Sequence, residues 1–162
     1  MSTAHEIQAY EYVNRPYEAV GAVLRLDPLG IFQRATVSAS VRAEALATTL
    51  RANVGPVEFG ADAVVEVTSV EEGPHAPLGP RTRLGLTWHA SKRPELFPTM
   101  MATLDVYALG PEETQVDFHG SYRPPLGVVG AAVDALVGHR IAQATVHRFV
   151  KEITERLRVD AA

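Results

Sequence analysis

The sequence predicts an α+β fold in which a curved antiparallel sheet wraps around one long C-terminal helix. Two observations carry that expectation. From Gly127 to about Arg158 the helical pattern is unbroken and no proline follows Pro125, so at a rise of about 1.5 Å per residue the helix runs on the order of 50 Å. Upstream, three segments alternate apolar and polar residues: Leu84, Leu86 and Trp88, then Met100, Ala102, Leu104 and Val106, then Val116, Phe118 and Tyr122. One-sided alternation marks an antiparallel sheet with a single buried face. A helix longer than a small domain is wide must lie across something broad, and that face is the surface available.

The elements follow in order. Residues 5 to 13 alternate well enough for a first strand, which the Asn14-Arg15-Pro16 corner ends. Pro16 then opens a short helix from Tyr17 to Leu26, with apolar spacing at Val20, Val23 and Leu24, and Asp27-Pro28 stops it. A second helical stretch is expected from Ile31 to about Ala45. Strands are expected over 46–54 and 63–70, the latter around the β-prone Val64-Val65-Glu66-Val67. Gly73 to Pro80 reads as a loop because of its proline and glycine content. Three strands follow over 82–91, 100–108 and 114–122, with Gly110-Pro111-Glu112-Glu113 as the hairpin connection of the last two. Their opposite parity holds Arg83, Thr87, His89, Thr103, Asp105, Tyr107, Gln115, Asp117, His119 and Ser121, expected as a polar face turned to water.

The inner seam of the long helix changes character along its length. Val128, Ala132, Ala135, His139 and Ala142 are mostly small, whereas Val146, Phe149, Ile153 and Leu157 are large. That contrast predicts a closed core at one end and room for a cavity at the other, unless bulky sheet residues fill the alanine end. A second apolar row, Val129, Val133, Leu136 and Val137, lies nearly opposite. It is either buried on both sides or covered by a partner, such as a second copy in a homodimer.

Composition sets the outer bounds. A chain of 162 residues, 46% hydrophobic and 21% charged, suits a single domain spanning residues 1–162. A net charge of -4 and scattered basic residues argue against a nucleic-acid surface. Cysteine is absent, which excludes disulfides and thiolate chemistry. Neither a signal peptide nor a membrane span is visible, so a cytoplasmic location is the default expectation.

Two stretches carry a family resemblance: Val13-Asn14-Arg15-Pro16-Tyr17-Glu18-Ala19-Val20 at the first strand-to-helix corner, and Gly120-Ser121-Tyr122-Arg123-Pro124-Pro125-Leu126-Gly127 leading into the long helix. Together with the order of elements over nearly the whole chain, they resemble the START-like group, also called SRPBCC. That group includes the major birch-pollen allergen, lipid-transfer domains and polyketide cyclases. Gly138-His139-Arg140 is similar to bacterial, actinobacterial-looking members, while residues 30–62 match the pattern least. The resemblance implies a helix-grip fold around an apolar cavity, and ligand binding more than any one reaction.

The chain has no Gly-rich phosphate loop, Gly-x-Ser-x-Gly elbow, His-Glu-x-x-His or cysteine cluster, which removes the main support for nucleotide, hydrolase and zincin chemistry. His139 on the seam is the foremost ionisable candidate, either as a cavity acid or base or as a core histidine satisfied by a partner. Glu11 shares the parity of Ile7, Ala9 and Val13, or else sits at a strand end open to water. Arg140 projects about 100° away from His139 on the helix, and an ion pair with Asp134 or a loop carboxylate is its expected role. His89 and His119 with Asp105 or Asp117 draw only a weak metal site, and no cofactor is expected.

In a helix-grip fold the core is also the cavity wall. Leu86, Trp88, Met100, Leu104, Phe118, Tyr122, Ala135, His139 and Ala142 are therefore the ligand-contact candidates. The expected function is binding of a small hydrophobic or amphipathic ligand, lipid-like or polyketide-like, between sheet and helix. The alternative is a polyketide cyclase or dehydratase-like enzyme using His139 or Glu11, and a third is an interaction module docking through the second apolar row.

Overall fold

Every second residue of the first strand, β1 (His5–Val13), is more buried than its neighbours, with Ile7, Ala9 and Val13 at 8% exposure or less. This is the alternation expected of a strand covered on one face. The computed structural model describes residues 4–28, 30–32, 34–36, 63–75, 79–90, 99–123 and 131–162. After β1 come α1 (Tyr17–Leu26) and a second helical segment, α2, described at 28, 30–32 and 34–36. Then come β2 (Ala63–His75), β3 (Gly79–Ala90), β4 (Met100–Gly110), β5 (Glu113–Tyr122) and the long helix α3 (Ala131–Asp160). The expected strand over 46–54 and the helix-leading Pro124-Pro125-Leu126-Gly127 lie outside the described residues.

Asp27 punctuates the two short helices. Its N–H closes on Val23 O at 3.4 Å and its Oδ1 accepts the Gly30 N–H at 3.0 Å, so one residue ends α1 and caps α2. Tyr17 ties α1 to the sheet through a 2.6 Å hydrogen bond to the buried Thr82 hydroxyl.

The five strands pair antiparallel in the order β1-β5-β4-β3-β2, curved around the C-terminal helix. β3, β4 and β5 show the apolar parity expected of them: Leu84, Leu86, Trp88, Leu104, Val106, Val116 and Phe118 are all at 5% exposure or less. On α3, Val146, Phe149, Ile153 and Leu157 are at 1% or less, joined by Val150 and Thr154. Phe149 is the hub. Its ring lies 5.2 Å from that of Trp88 and 6.1 Å from those of Phe32 and Phe118.

Two expectations are corrected. Gly73 to Pro80 is mostly strand rather than loop: β2 continues to His75, β3 begins at Gly79, and Pro74 pairs with Pro80. Proline fits there because β2 is the edge among the described strands and Pro80 lies beyond the Arg81–Tyr107 end of the β3–β4 pairing, so neither missing N–H leaves a described neighbouring strand unpaired. Gly79 at φ 102 turns the hairpin at a backbone angle that disfavours side chains.

The outer face is also not simply turned to water. Asp105 and Tyr107 are only 9% and 8% exposed, because polar side chains cover one another. Arg83 grips Asp105 with two hydrogen bonds of 2.7 and 2.8 Å. Asp117, directly opposite Asp105, accepts from Tyr107 Oη at 2.8 Å and from Gln115. Each carboxylate of a like-charged cross-strand pair thus has its own donors, which offset the repulsion such a pair carries. The Asp105 bonds raise the Arg83 pKa. Burial and then the Asp117 bond push Tyr107 well above the ordinary tyrosine value.

Candidate functional site

The strand registers line up one row of inward-facing residues across the five described strands: His5 opposite Tyr122, Tyr122 opposite Met100, Met100 opposite Trp88, and Trp88 opposite Val65. It lies at the end of the sheet where β1 begins and β5 ends. The next row inward holds Ile7, Gly120, Ala102, Leu86 and Val67, with its smallest residues in the middle. A Cβ on Gly120 would sit 2.8 Å from both Met100 Sδ and Phe118 Cε1, so glycine there leaves the space that the Met100 thioether and the Phe118 ring occupy.

From the helix side, His139 meets this row. Its Nδ1 stands 3.1 Å from Tyr122 Oη, its ring is nearly parallel to the tyrosine ring at 6.3 Å, and it lies 5.9 Å from His5. His5 in turn stacks on Tyr122 at 5.5 Å. Tyr122 is 5% exposed, and burial raises its pKa, which keeps the phenol protonated. Among the described residues Tyr122 Oη has no acceptor other than His139. The direction of this bond follows the imidazole tautomer: a Tyr122 donor goes with a neutral ring protonated at Nε2, a His139 donor with one protonated at Nδ1.

The remaining candidates fall around this cluster. Leu86, Trp88, Met100, Leu104 and Phe118 are buried in one apolar core with Tyr122, and Ala142 packs against it half-buried. Trp88 Nε1 is buried with no hydrogen-bond partner among the described residues. The Ala135 side chain, like those of Ala132, Val133, Leu136 and Val137, lies outside the described residues, and so does Val129. Glu11 is half-buried on the inner parity, opposite Val116. It is six residues from His5, or about 20 Å along the strand at about 3.3 Å per residue, so the structure does not bring it to His139.

Arg140 is exposed, and the Asp134 side chain expected to pair with it lies outside the described residues. Arg140 lines an open groove of about 650 Å³ with Gln8, Gln143, Ala144, His147, Arg148 and Lys151, on the solvent side of α3 and away from the seam. Among the described residues no group of three or more His, Cys, Asp or Glu could hold a metal, and no helix is long and apolar enough to cross a membrane.

Sequence reasoning missed His5, although its parity was available: it is two residues before Ile7 on the same inward face. It also missed the outer polar network, which depends on knowing that Arg83 stands opposite Asp105.

No family model and no curated protein matches the chain. Among solved structures, the Zhui aromatase/cyclase of Streptomyces sp. R1128 matches over 96% of this chain and 94% of its own, at 12% identity and a TM-score of 0.50. The chain has the helix-grip fold. A conserved protein of Geobacillus kaustophilus covers 94% of this chain and 95% of its own at 16% identity and a TM-score of 0.47. Norcoclaurine synthase of Thalictrum flavum covers 96% and 87% at 12% identity and 0.43.

Within the helix grip, the two halves of α3 are held differently. The C-terminal half is fastened by the Phe149 ring cluster and by Arg158 Nη2, which donates to Tyr12 O at 3.0 Å. At His139 the described contacts to the sheet are a single hydrogen bond and ring contacts to Tyr122 and His5.

Proposed function

We propose that this chain binds a small hydrophobic or amphipathic molecule between the inner face of the sheet and α3, at the end occupied by His5, Tyr122, Met100, Trp88 and His139. The observation that carries this reading is the Tyr122–His139 hydrogen bond of 3.1 Å, set in a wall otherwise made of apolar side chains. Ligand sites combine a mostly apolar surface with a few placed polar groups that fix orientation. Here His139 Nε2, the ring nitrogen that Tyr122 does not engage, is the polar atom left for a ligand.

A second reading takes support from the neighbour named an aromatase/cyclase: a cyclase or dehydratase-like enzyme acting on a bound polyketide-like chain. The site favours the binder. Enolate chemistry needs a base: Glu11 is too distant to supply one, and His139 Nε2 serves as one only in the tautomer that carries its proton on Nδ1.

Titration with N-phenyl-1-naphthylamine tests the proposal. Wild-type protein should take up the probe and gain stability by mass action, about 2.7 kcal/mol at a hundredfold excess over Kd. Ala142→Phe, which directs a ring from α3 toward the core, should keep the fold and lose the response, and so should Ala135→Phe. A wild type that shows no uptake, or an uptake untouched by both substitutions, defeats the reading. His139→Gln separates the two functions: a turnover present in wild type and lost at unchanged affinity would establish the enzyme.

A further inference from the structure

We infer that the groove between β1 and α3 is a second binding site, and that it takes an acidic segment of another protein in extended conformation. The groove, about 650 Å³ in volume, is lined by Arg140, Arg148 and Lys151, together with His147 and the carboxamides of Gln8 and Gln143. Among the described residues no carboxylate lines it. In a chain with 19 acidic and 15 basic residues and a net charge of -4, a groove of average composition holds at least as many acids as bases. This one is locally positive on a molecule that is negative as a whole, and charge complementarity selects an anionic partner.

Length, chemistry and shape narrow the class of anion. Arg140, Ala144, His147, Arg148 and Lys151 recur at steps of three and four, which keeps them on one helix face. Arg140 and Lys151 mark the ends of that run, about 16 Å apart at about 1.5 Å per residue. A lone phosphate or carboxylate reaches one end of it, whereas an extended peptide of about five residues, at about 3.3 Å each, spans it. The carboxamides favour the peptide too. Each donates and accepts, so Gln8 and Gln143 suit the N–H and C=O groups of a polypeptide, while a phosphodiester chain offers no donor to their oxygens. Among the described residues no Phe, Tyr or Trp lines the groove for a base to stack on. Gln8 belongs to β1, an edge among the described strands, and a concave channel between an edge strand and a helix fits an extended chain rather than a flat lipid surface.

The groove cations are also cheap to recruit. Arg148 meets Glu152 at 2.7 Å and Lys151 meets Glu155 at 4.0 Å, with the cationic side chains 43% and 49% exposed. Exposed pairs of this kind contribute little, so an incoming carboxylate exchanges readily for Glu152 or Glu155.

Fluorescence anisotropy with a fluorescein-labelled oligoglutamate peptide tests the inference, against an oligoglutamine peptide of equal length. Wild type should bind the acidic peptide and not the neutral one, and binding should weaken as NaCl rises from about 50 to about 300 mM. Arg140→Gln and Lys151→Gln, at exposed positions, should each weaken it about fivefold, the factor for one exposed ion pair. Glu155→Gln, which removes the competing carboxylate beside Lys151, should strengthen it. In ¹⁵N-labelled wild type the side-chain amide cross-peaks of Gln8 and Gln143 should move as the acidic peptide is added, a readout that needs no variant. Failure of the acidic peptide to bind, equal affinity for the neutral one, amide peaks that stay still on binding, or affinity untouched when Arg140→Gln and Lys151→Gln are combined overturns the inference. Binding of phosphatidylserine-phosphatidylcholine vesicles or of oligothymidine in place of the peptide also overturns it and assigns the groove to a membrane or a nucleic acid. The ligand site between sheet and helix is tested separately, since it uses none of these side chains.

Discussion

Replacing Phe149 by alanine tests the packing on which the grip depends. The side chain is 0% exposed and meets three rings, those of Phe32, Trp88 and Phe118, at 6.1, 5.2 and 6.1 Å. Those rings come from α2, β3 and β5, so no single neighbour can close the void by moving. A buried Phe→Ala change costs about 3–5 kcal/mol, and this site belongs near the upper end because three partners lose contact together. With a urea m-value of about 2 kcal/mol/M for a domain of this size, the midpoint should fall by about 2 M. Emission of the sole tryptophan reports the transition, since Trp88 is one of the three partners. Val159→Ala is the control on the same helix, at a residue 68% exposed, and should shift stability by less than about 0.5 kcal/mol. A loss below about 1.5 kcal/mol for Phe149→Ala would mean that the rings do not converge on it, and the placement of α3 on the sheet would be wrong.

Three further outcomes are expected. Burial raises Tyr122, and burial with the Asp117 bond raises Tyr107, so the native state holds these protons more tightly than the unfolded chain. Their contribution is whole below the ordinary tyrosine pKa of about 10 and is lost as pH climbs through the higher native values. Urea midpoints above that pH should therefore fall more steeply for wild type than for Tyr107→Phe. Asp105→Asn should lose about 1–2 kcal/mol, limited because the Arg83 side chain is 38% exposed and can turn to water; an unchanged melting curve would remove the outer pair from the account. Gly120→Ala should cost about 1–3 kcal/mol through overpacking against Met100 and Phe118, and a stabilised variant would show that this part of the wall is loose.

How far the sequence could be read depended on whether a residue's role is local or set by its cross-strand neighbour. β1 and α1 were legible to their ends, because period-2 burial and the Pro16 and Asp27 punctuation are properties of neighbouring residues. The inward set of β3 to β5 was legible for the same reason, and Trp88 against Phe149 shows that the register was read correctly. Pro74 and Pro80 misled because proline was weighed alone, whereas what decides is which strand edge its missing N–H faces. Asp105 and Tyr107 misled in the same way: taken singly they belong in water, and only the pairing opposite Arg83 and the hydrogen bond to Asp117 bury them. His139 was singled out from helical spacing, but its bond to Tyr122 joins residues 17 apart on a helix and a strand, and no local pattern carries that distance.

The protonation of His139 decides between carrier and catalyst, and it can be read directly. Tyr122 Oη and His139 Nδ1 are 3.1 Å apart, so one proton lies between them. If the tyrosine donates, Nδ1 is a bare acceptor and Nε2 carries hydrogen; if the imidazole donates, Nε2 is a free base and the phenolic proton needs another acceptor. The lack of a second acceptor for the phenol among the described residues favours the first arrangement. In ¹⁵N-labelled protein the His139 ring should show a protonated Nε2 and an unprotonated, hydrogen-bonded Nδ1, and Tyr122→Phe should move the Nδ1 shift toward that of a free imidazole nitrogen. A protonated Nδ1 in the neutral ring would reverse the conclusion, because Nε2 would then be the base facing the ligand and the cyclase-like reading would gain the group it lacks.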